Sequence, residues 1–364
     1  MHAIRLHTFG PAENLTYEET EDPAPGPGQV RIAVAAAGVH LVDTALREGV
    51  QLGPMPAPTA LPTIPGREVA GTVESLGAGV ADGWLGKRVV THLGMVPGGY
   101  AEFAVADTTR LHEIPEVLDA AEAVAMIGTG RTTMGILQFT DLGAGDIVLV
   151  TAAAGGIGTL LVQYAKNLDA VVIGLAGGPA KVARVAENGA DLAVDYTRPD
   201  WPERVRTYLR EHHGTHGAHG THGTHHGDHR AAVVFDSVGG AIGLAAVDLL
   251  GKGGKHVVFG WSGSVAGAGA GAESGSGSGR HDGTPLTFTP EELAERGITS
   301  ETVLGPVMIE KAGGDIRTLE DRALAEAEAG RLRPAVQRFP LADAARAHRA
   351  LETRGTVGKV VLEP

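Results

Sequence analysis

The sequence predicts an α/β protein of two parts, a β-rich N-terminal third followed by a doubly wound parallel sheet. Three observations carry that prediction. Short apolar runs between Pro and Gly punctuation dominate the first third, unbroken apolar runs alternate with helical segments from Ile147 onward, and a turn of small residues joins the first of those runs to a helix. With 364 residues the chain has room for two domains, each with its own core.

Taken in order, Ala3–His7 and Val30–Ala37 read as strands, set off by Pro23, Pro25, Gly26, Pro27 and Gly28. A stretch with Pro54, Pro56, Pro58, Pro62 and Pro65 lacks the N–H groups of a central strand and reads as extended chain. Val69–Leu76 and Arg88–His92 read as further strands. Near Ala120 the composition turns helical, over Ala120–Met126 and Thr132–Leu137. Ile147–Thr151, Val171–Leu175, Ala232–Asp236 and Lys255–Phe259 then read as strands, with helices Gly158–Leu168, Ala180–Asn188 and Ile242–Leu250 among them. Helices cover both faces of a parallel sheet, so its strands are apolar throughout. The tail holds a helix, Ala342–Glu352, and a last strand, Lys359–Leu362.

Two low-complexity inserts interrupt the second part. His212 to His229 holds eight of the sixteen histidines, and Ser262 to Gly283 is rich in Gly, Ala and Ser. Neither buries enough apolar surface to order itself, and both read as surface loops. The His-rich stretch has the spacing for loose chelation of a divalent ion but no scaffold to fix one.

Composition excludes several classes. Acidic residues outnumber basic ones 43 to 30, for a net charge of -13, which argues against a nucleic-acid groove. With no Cys there is no disulfide, no thiol nucleophile and no Cys-ligated zinc or iron–sulfur cluster. The start, MHAIRLHTFGPAENL, has no basic-then-apolar signal, and no apolar run reaches the length of a membrane span. The expectation is a cytoplasmic protein that binds neither nucleic acid nor membrane.

The segment that carries chemistry is Ile147 to Gly158, IVLVTAAAGGIG: a buried strand, a turn of small residues, a helix. Its pattern Ala153-x-Gly155-x-x-Gly158 is a dinucleotide fingerprint with Ala in the first Gly position. Small residues let backbone approach a pyrophosphate, and the N–H groups of Gly155, Gly156, Ile157 and Gly158 face the phosphates at a positive helix end. The next strand ends in Gly174-Leu175-Ala176-Gly177-Gly178, without the acid that would hold a ribose 2′-OH. Lys181 and Arg184 follow; cations there suit the 2′-phosphate of NADPH, or else solvate a helix face.

Further segments carry a resemblance. They are Ala37-Gly38-Val39-His40-x-Val42-Asp43, Pro65-Gly66-Arg67-Glu68-x-Ala70-Gly71 and Gly98-Gly99-Tyr100-Ala101-Glu102. The fingerprint follows, then Phe235-Asp236-x-Val238-Gly239-Gly240 and the tail Gly355-Thr356-x-Gly358-Lys359-Val360-Val361-Leu362. Nearly end to end, the chain resembles the medium-chain dehydrogenase/reductase superfamily in its zinc-free NADPH:quinone oxidoreductase (zeta-crystallin-like) branch. That resemblance implies a GroES-like β domain over residues 1–125 and a Rossmann NADPH-binding domain over 126–308, with inserts 212–229 and 262–283. A C-terminal segment, 309–364, would return to the first domain. A homodimer would form through the edge strand Thr299 to Leu304.

Zinc-dependent members carry Cys where this chain has His40 and His where it has Arg67, so the resemblance implies no metal. The implied reaction is hydride transfer from NADPH to a quinone held beside it. Reduction of an activated C=C bond in an enone or polyketide-like substrate is the alternative, and NADPH binding without turnover a third reading. His40 is implied as a donor or proton relay to the acceptor, or as a structural hydrogen-bonding residue, and Asp43 as the group that orients its neighbours. Family members often have Tyr two residues beyond this Asp; here Ala45 removes that proton donor. Thr132 is implied near the nicotinamide and Tyr196 near the adenosine phosphate. Phe259, Gly260 and Ser262 are implied in the loop over the nicotinamide, and Lys359 near the cofactor. Packing or capping is the other reading of Thr132 and Ser262.

Overall fold

The computed structural model describes residues 1–50, 61–94, 96–211, 230–262 and 286–364. Pro54, Pro56 and Pro58 and both inserts, Ser262 apart, lie outside the described residues. Two compact units result, Met1–Arg131 with Arg317–Pro364, and Thr132–Ile316.

In the first unit β1 (His2–Leu6) pairs antiparallel with β2 (Leu15–Glu19). The main sheet contains β3 (Gln29–Val39), β4 (Glu68–Leu76), β5 (Arg88–His92), β6 (Phe103–Asp107) and β7 (His112–Glu113). Along the first half of β3 side chains alternate, with Val30, Ile32 and Val34 buried between half-exposed neighbours. From Ala36 to Val39 every residue is buried, because the helix Ala120–Ala125 lies against this end of β3. Asp119 caps that helix: its carboxylate accepts from the N–H of Glu122 (2.8 Å) while Glu122 accepts from the N–H of Asp119 (3.0 Å). A π-helical turn, Met126–Gly130, follows directly.

In the second unit β8 (Ile147–Val150), β9 (Val171–Ala176), β10 (Leu192–Asp195), β11 (Ala231–Asp236), β12 (Leu250–Val258) and β13 (Thr299–Thr302) form a sheet in the order β10-β9-β8-β11-β12-β13, every pair parallel. Strand order reverses direction between β8 and β11, and in such sheets ligands bind beyond the carboxyl ends of the strands at that point. The core joins Leu149, Ile173, Leu175 and Val234 to Trp201, Val205 and Leu209 of the helix Trp201–Glu211. Several boundaries differ from the sequence reading, two of them around glycine-rich stretches of this unit. The first Rossmann helix runs Gly156–Asn167, since Gly156 and Ile157 already have helical backbone. The helix before β12 ends at Val247 and the strand begins at Leu250, where a register irregularity lets it start ahead of Lys255. Among the described residues no helix is long and apolar enough to cross a membrane.

The tail completes the first unit. Strand β14 (Val336–Pro340) pairs parallel with β15 (Lys359–Glu363), and β15 pairs antiparallel with β3, Val360 opposite Val39 and Leu362 opposite Ala37. On its other side β3 holds β4 with Ala37 opposite Val69, and β4 holds β5 with Glu68 opposite His92. This register sets the chain positions of Lys359, His40, Glu68 and His92 side by side across four neighbouring strand ends.

Candidate active site

The fingerprint turn is built as dinucleotide chemistry requires. Ala152, directly after Thr151, takes a left-handed conformation (φ 47°), which turns the chain sharply at the end of β8. Gly155 caps the helix; the first helical bond is donated by Thr159 to Gly155 (2.9 Å), so the N–H groups of Gly156, Ile157 and Gly158 stay outside the helical ladder. Gly155, Gly156 and Ile157 are half-exposed, and Gly158 is buried. A Cβ on Gly158 would lie 2.4 Å from the Ala152 carbonyl oxygen and 2.7 Å from the Ala153 Cα, so only glycine lets the helix sit this close. Gly174 of β9 does the same for the opposite contact, with Ala153 and Val185 where its Cβ would be.

At the end of β9 the Tyr196 ring lies against Gly177, whose Cβ would come 3.1 Å from the Tyr196 hydroxyl. Lys181 is in the first turn of the helix Pro179–Glu187 and half-exposed. Arg184 is exposed and paired with Glu187 (2.9 Å). The sequence reading missed Asp195. One of its oxygens accepts from the N–H of Gly178 (2.9 Å), the N–H of Thr197 (3.0 Å) and the Thr197 hydroxyl (2.7 Å). These donors, Gly178 foremost, hold its carboxyl below the usual range.

Asp236 organises the loop at the switch point. It is fully buried, and its Oδ1 accepts from the Thr151 hydroxyl (3.0 Å) and the N–H groups of Val238 (2.9 Å) and Gly239 (3.0 Å). The N–H of Ser237 donates to the Thr151 hydroxyl (2.9 Å). Phe259 donates its N–H to the Asp236 carbonyl (2.9 Å), and the Ser262 hydroxyl donates to the Ser237 carbonyl (3.1 Å). Gly260 packs against Ser237. Phe259, Gly260 and Ser262 are thus brought together with Asp236 and Thr151. Thr132 begins this unit, half-buried in the helix Arg131–Leu137.

The first unit holds a row of charges. Glu68 is wholly buried at the start of β4, and Lys359 is nearly so at the start of β15. The Lys359 ammonium donates to Glu68 Oε2 (2.9 Å) and to His40 Nε2 (2.8 Å). His40 Nε2 also lies 2.6 Å from Glu68 Oε1. Space for the carboxylate comes from two glycines: a Cβ on Gly38 or Gly128 would sit 2.3 Å from a Glu68 oxygen. Burial opposes ionisation of Glu68, but His40 and Lys359 in contact outweigh it and hold the carboxyl well below the usual range. Burial, reinforced by the charge of Arg131, pushes His92 down to about 3, so its ring is neutral. His92 Nδ1 accepts from the N–H of Gly94 (2.9 Å). Lys359, read from the sequence as a cofactor contact, thus has Glu68 and His40 as its neighbours in the first unit.

Asp43 is a brace behind His40. Its Oδ2 accepts from the N–H of His40 (2.8 Å) and from the Tyr100 hydroxyl (3.1 Å), and its Oδ1 is 3.6 Å from Arg67. Burial and Asp43 together raise the Tyr100 hydroxyl well above its ordinary pKa, so it stays a donor. Gly66, at φ 87°, leaves the Tyr100 ring its place; a Cβ there would be 2.2 Å from the ring. Sequence reasoning singled out His40 and Asp43 but not Glu68, His92 or the donor role of Tyr100. An acid between Arg67 and the apolar run from Val69 was the one signal that would have flagged Glu68.

A parallel sheet in this strand order with a dinucleotide-fingerprint turn, in a chain that also holds a separate β unit completed by the C-terminus, is the make-up of a two-domain dehydrogenase/reductase. Residues 26–116 match the family described as Alcohol dehydrogenase GroES-like domain, and residues 156–270 the one described as Zinc-binding dehydrogenase. The chain is 32% identical to a quinone oxidoreductase of Pseudomonas aeruginosa and 30% identical to a 2-haloacrylate reductase of a Burkholderia species. The first match covers 99% of both chains, the second 100% of this chain and 98% of the relative. Among solved structures, a mycobacterial protein complexed with NADPH is 30% identical with TM-score 0.76, each chain covered in full. The chain belongs to the quinone oxidoreductase-like branch of the medium-chain dehydrogenase/reductase superfamily. The residues here do not fit the zinc of the second family's description. Arg67 has no lone pair to offer, and the Lys359 ammonium already takes up His40 Nε2 and Glu68 Oε2.

Proposed function

We propose that the chain uses NADPH to reduce a small electrophilic molecule, a quinone, by direct hydride transfer without a metal. The observation that carries this reading is the fingerprint turn, where Gly158 meets backbone at a distance only glycine allows and three helix N–H groups remain open for a pyrophosphate. The NADPH-bound mycobacterial relative supports the cofactor, as does Lys181 at a strand end without a ribose-binding acid. When bound, NADPH supplies the hydride. The chain's own residues orient the acceptor and meet the negative charge that develops on its oxygen, and His40 is the donor for that charge. Asp43 holds the His40 backbone, and Tyr100 holds Asp43.

Reduction of an activated C=C bond is the second reading, favoured by Ala45 and by the 2-haloacrylate reductase relative. The test is NADPH oxidation, followed by absorbance, with a small quinone and a small enone in parallel and no added metal. Turnover with the quinone is expected. Turnover with the enone alone moves the protein to the second reading, and NADPH binding without oxidation by either overturns both. The proposal includes a homodimer along β13, supported by the position of that strand at the sheet edge with β12 on one side. Sedimentation at equilibrium tests it, and a monomer would refute it.

A further inference from the structure

Asp236 uses only one of its two oxygens at the switch-point loop. Oδ1 takes the Thr151 hydroxyl and the N–H groups of Val238 and Gly239. Oδ2 lies against the helix Gly240–Val247, where a Cβ on Gly243 would be 2.3 Å from it. The Gly243 N–H goes to the Gly239 carbonyl (2.9 Å), so this glycine makes room for the oxygen without donating to it. The donor comes from β12. His256 Nε2 is 3.4 Å from Oδ2, a long hydrogen bond, and no other described residue donates there. Neither side chain has exposed surface. The other ring nitrogen, Nδ1, is 2.9 Å from the Ser300 hydroxyl, because the parallel register of β12 and β13 sets His256 beside Ser300. Phe288 packs edge-on against the ring, with centroids 6.0 Å apart and planes at 74°.

A buried carboxylate with one bare oxygen has two ways out: it binds a proton, or it turns to share its donors. Either loosens its hold on Thr151 and on the N–H groups of Val238 and Gly239. His256 closes both. Burial opposes ionisation of Asp236, but the His256 hydrogen bond, with the N–H groups of Gly239 and Val238, outweighs it and holds the carboxyl below the usual range. An ionised carboxylate only accepts, so His256 Nε2 carries a hydrogen. A serine hydroxyl donates or accepts, so Ser300 satisfies Nδ1 with or without a hydrogen on it. We propose that His256 is a positioning residue for NADPH: it fixes the Asp236 carboxylate from behind, and Asp236 fixes the loop after β11 that shapes the cofactor site. The proposal rests on the cofactor reading above. His256 acts through Asp236 alone and takes no part in the hydride or proton steps.

The first test needs no cofactor. Long-range proton–nitrogen NMR correlation, with His256→Gln to assign the signal, should show a hydrogen on Nε2 of His256 in the wild type. In Asp236→Asn the amide oxygen stays with Thr151, Val238 and Gly239, which turns the NH2 group toward His256. Nε2 must then accept, and the hydrogen should move to Nδ1 and be donated to Ser300. A bare Nε2 in the wild type, or no change in Asp236→Asn, overturns the proposal. The second test is NADPH affinity by fluorescence titration. Glutamine reaches toward Oδ2 with an amide N–H in place of Nε2–H, whereas leucine fills the space without a donor. Kd should rise about tenfold in His256→Leu and stay within about threefold of wild type in His256→Gln. A packing role alone would move both variants together. Wild-type Kd in His256→Leu, or equal losses in the two variants, overturns the proposal. If His256→Leu does not fold, the hydrogen position in wild type and Asp236→Asn decides. A wild type that binds no NADPH overturns the cofactor reading and the role at the loop with it, while Nε2 still shows whether His256 holds Asp236.

Discussion

Acid should unfold the first unit in part through His348. The ring has no exposed surface, lies edge-on to Tyr100 (centroids 5.9 Å apart, planes at 84°) and has its Nε2 3.4 Å from the Tyr100 hydroxyl. Its Nδ1 is buried with no hydrogen-bond partner. Burial, opposed by Asp43 and aided by Arg47, lowers its pKa from 6.5 to about 4. Above pH 6.5 the ring is neutral folded or unfolded. Between 6.5 and about 4 the unfolded chain binds a proton that the folded chain refuses, so stability falls with pH across that window and levels off below it. At about 1.4 kcal/mol per pH unit, the loss attributable to His348 is about 3 kcal/mol, a large share of the stability of an ordinary domain. His92, lowered to about 3, adds a second loss that starts at the same pH and runs further down. Urea unfolding of wild type and His348→Leu at pH ~7 and pH ~4.5 separates the two histidines. The variant should lose about 2.4 kcal/mol less than wild type between the two pH values, whatever its stability at neutral pH. Equal losses in both proteins would refute the assignment.

Three further outcomes follow from the second unit. Gly158→Ala puts a Cβ 2.4 Å from the Ala152 carbonyl oxygen, about 1 Å inside ordinary contact, so the helix end must shift and NADPH Kd should rise about tenfold or more by fluorescence titration. An unchanged Kd would show that the turn does not carry the cofactor. Lys181→Ala should raise the NADPH KM more than the NADH KM; equal effects would remove the 2′-phosphate contact. Asp236→Leu strands the Thr151 hydroxyl and the N–H groups of Val238 and Gly239, each worth about 1–3 kcal/mol when buried unpaired, and should lower both Tm and NADPH affinity. Asp236→Asn keeps an acceptor oxygen there and should stay near wild type in both; loss as large as with Leu would contradict the network.

Whether a feature was legible in the sequence depended on how far along the chain its parts lie. The fingerprint occupies twelve consecutive residues, so strand, turn and helix could be read together, with the strand end placed one residue late and the helix start two. Gly156 and Ile157 look like turn because glycine has poor helix propensity, yet an open first turn is what phosphate binding demands. Strand β14 went unread because Arg338 and Pro340 break its apolar pattern; at a sheet edge both are tolerated. The charged row is the opposite case. Lys359 and His40 are 319 residues apart and meet only because β15 joins β3 with Val360 opposite Val39. Glu68 and His92 join the same row through two more registers. Register depends on which faces are buried, and near Ala36–Val39 both faces are, so alternation no longer tells the two sides of the strand apart. A buried acid and a buried lysine are each improbable alone. Their joint appearance at two strand starts, Glu68 and Lys359, was a signal that they neutralise each other, and a sequence reading that paired improbable charges would have placed Lys359 beside Glu68.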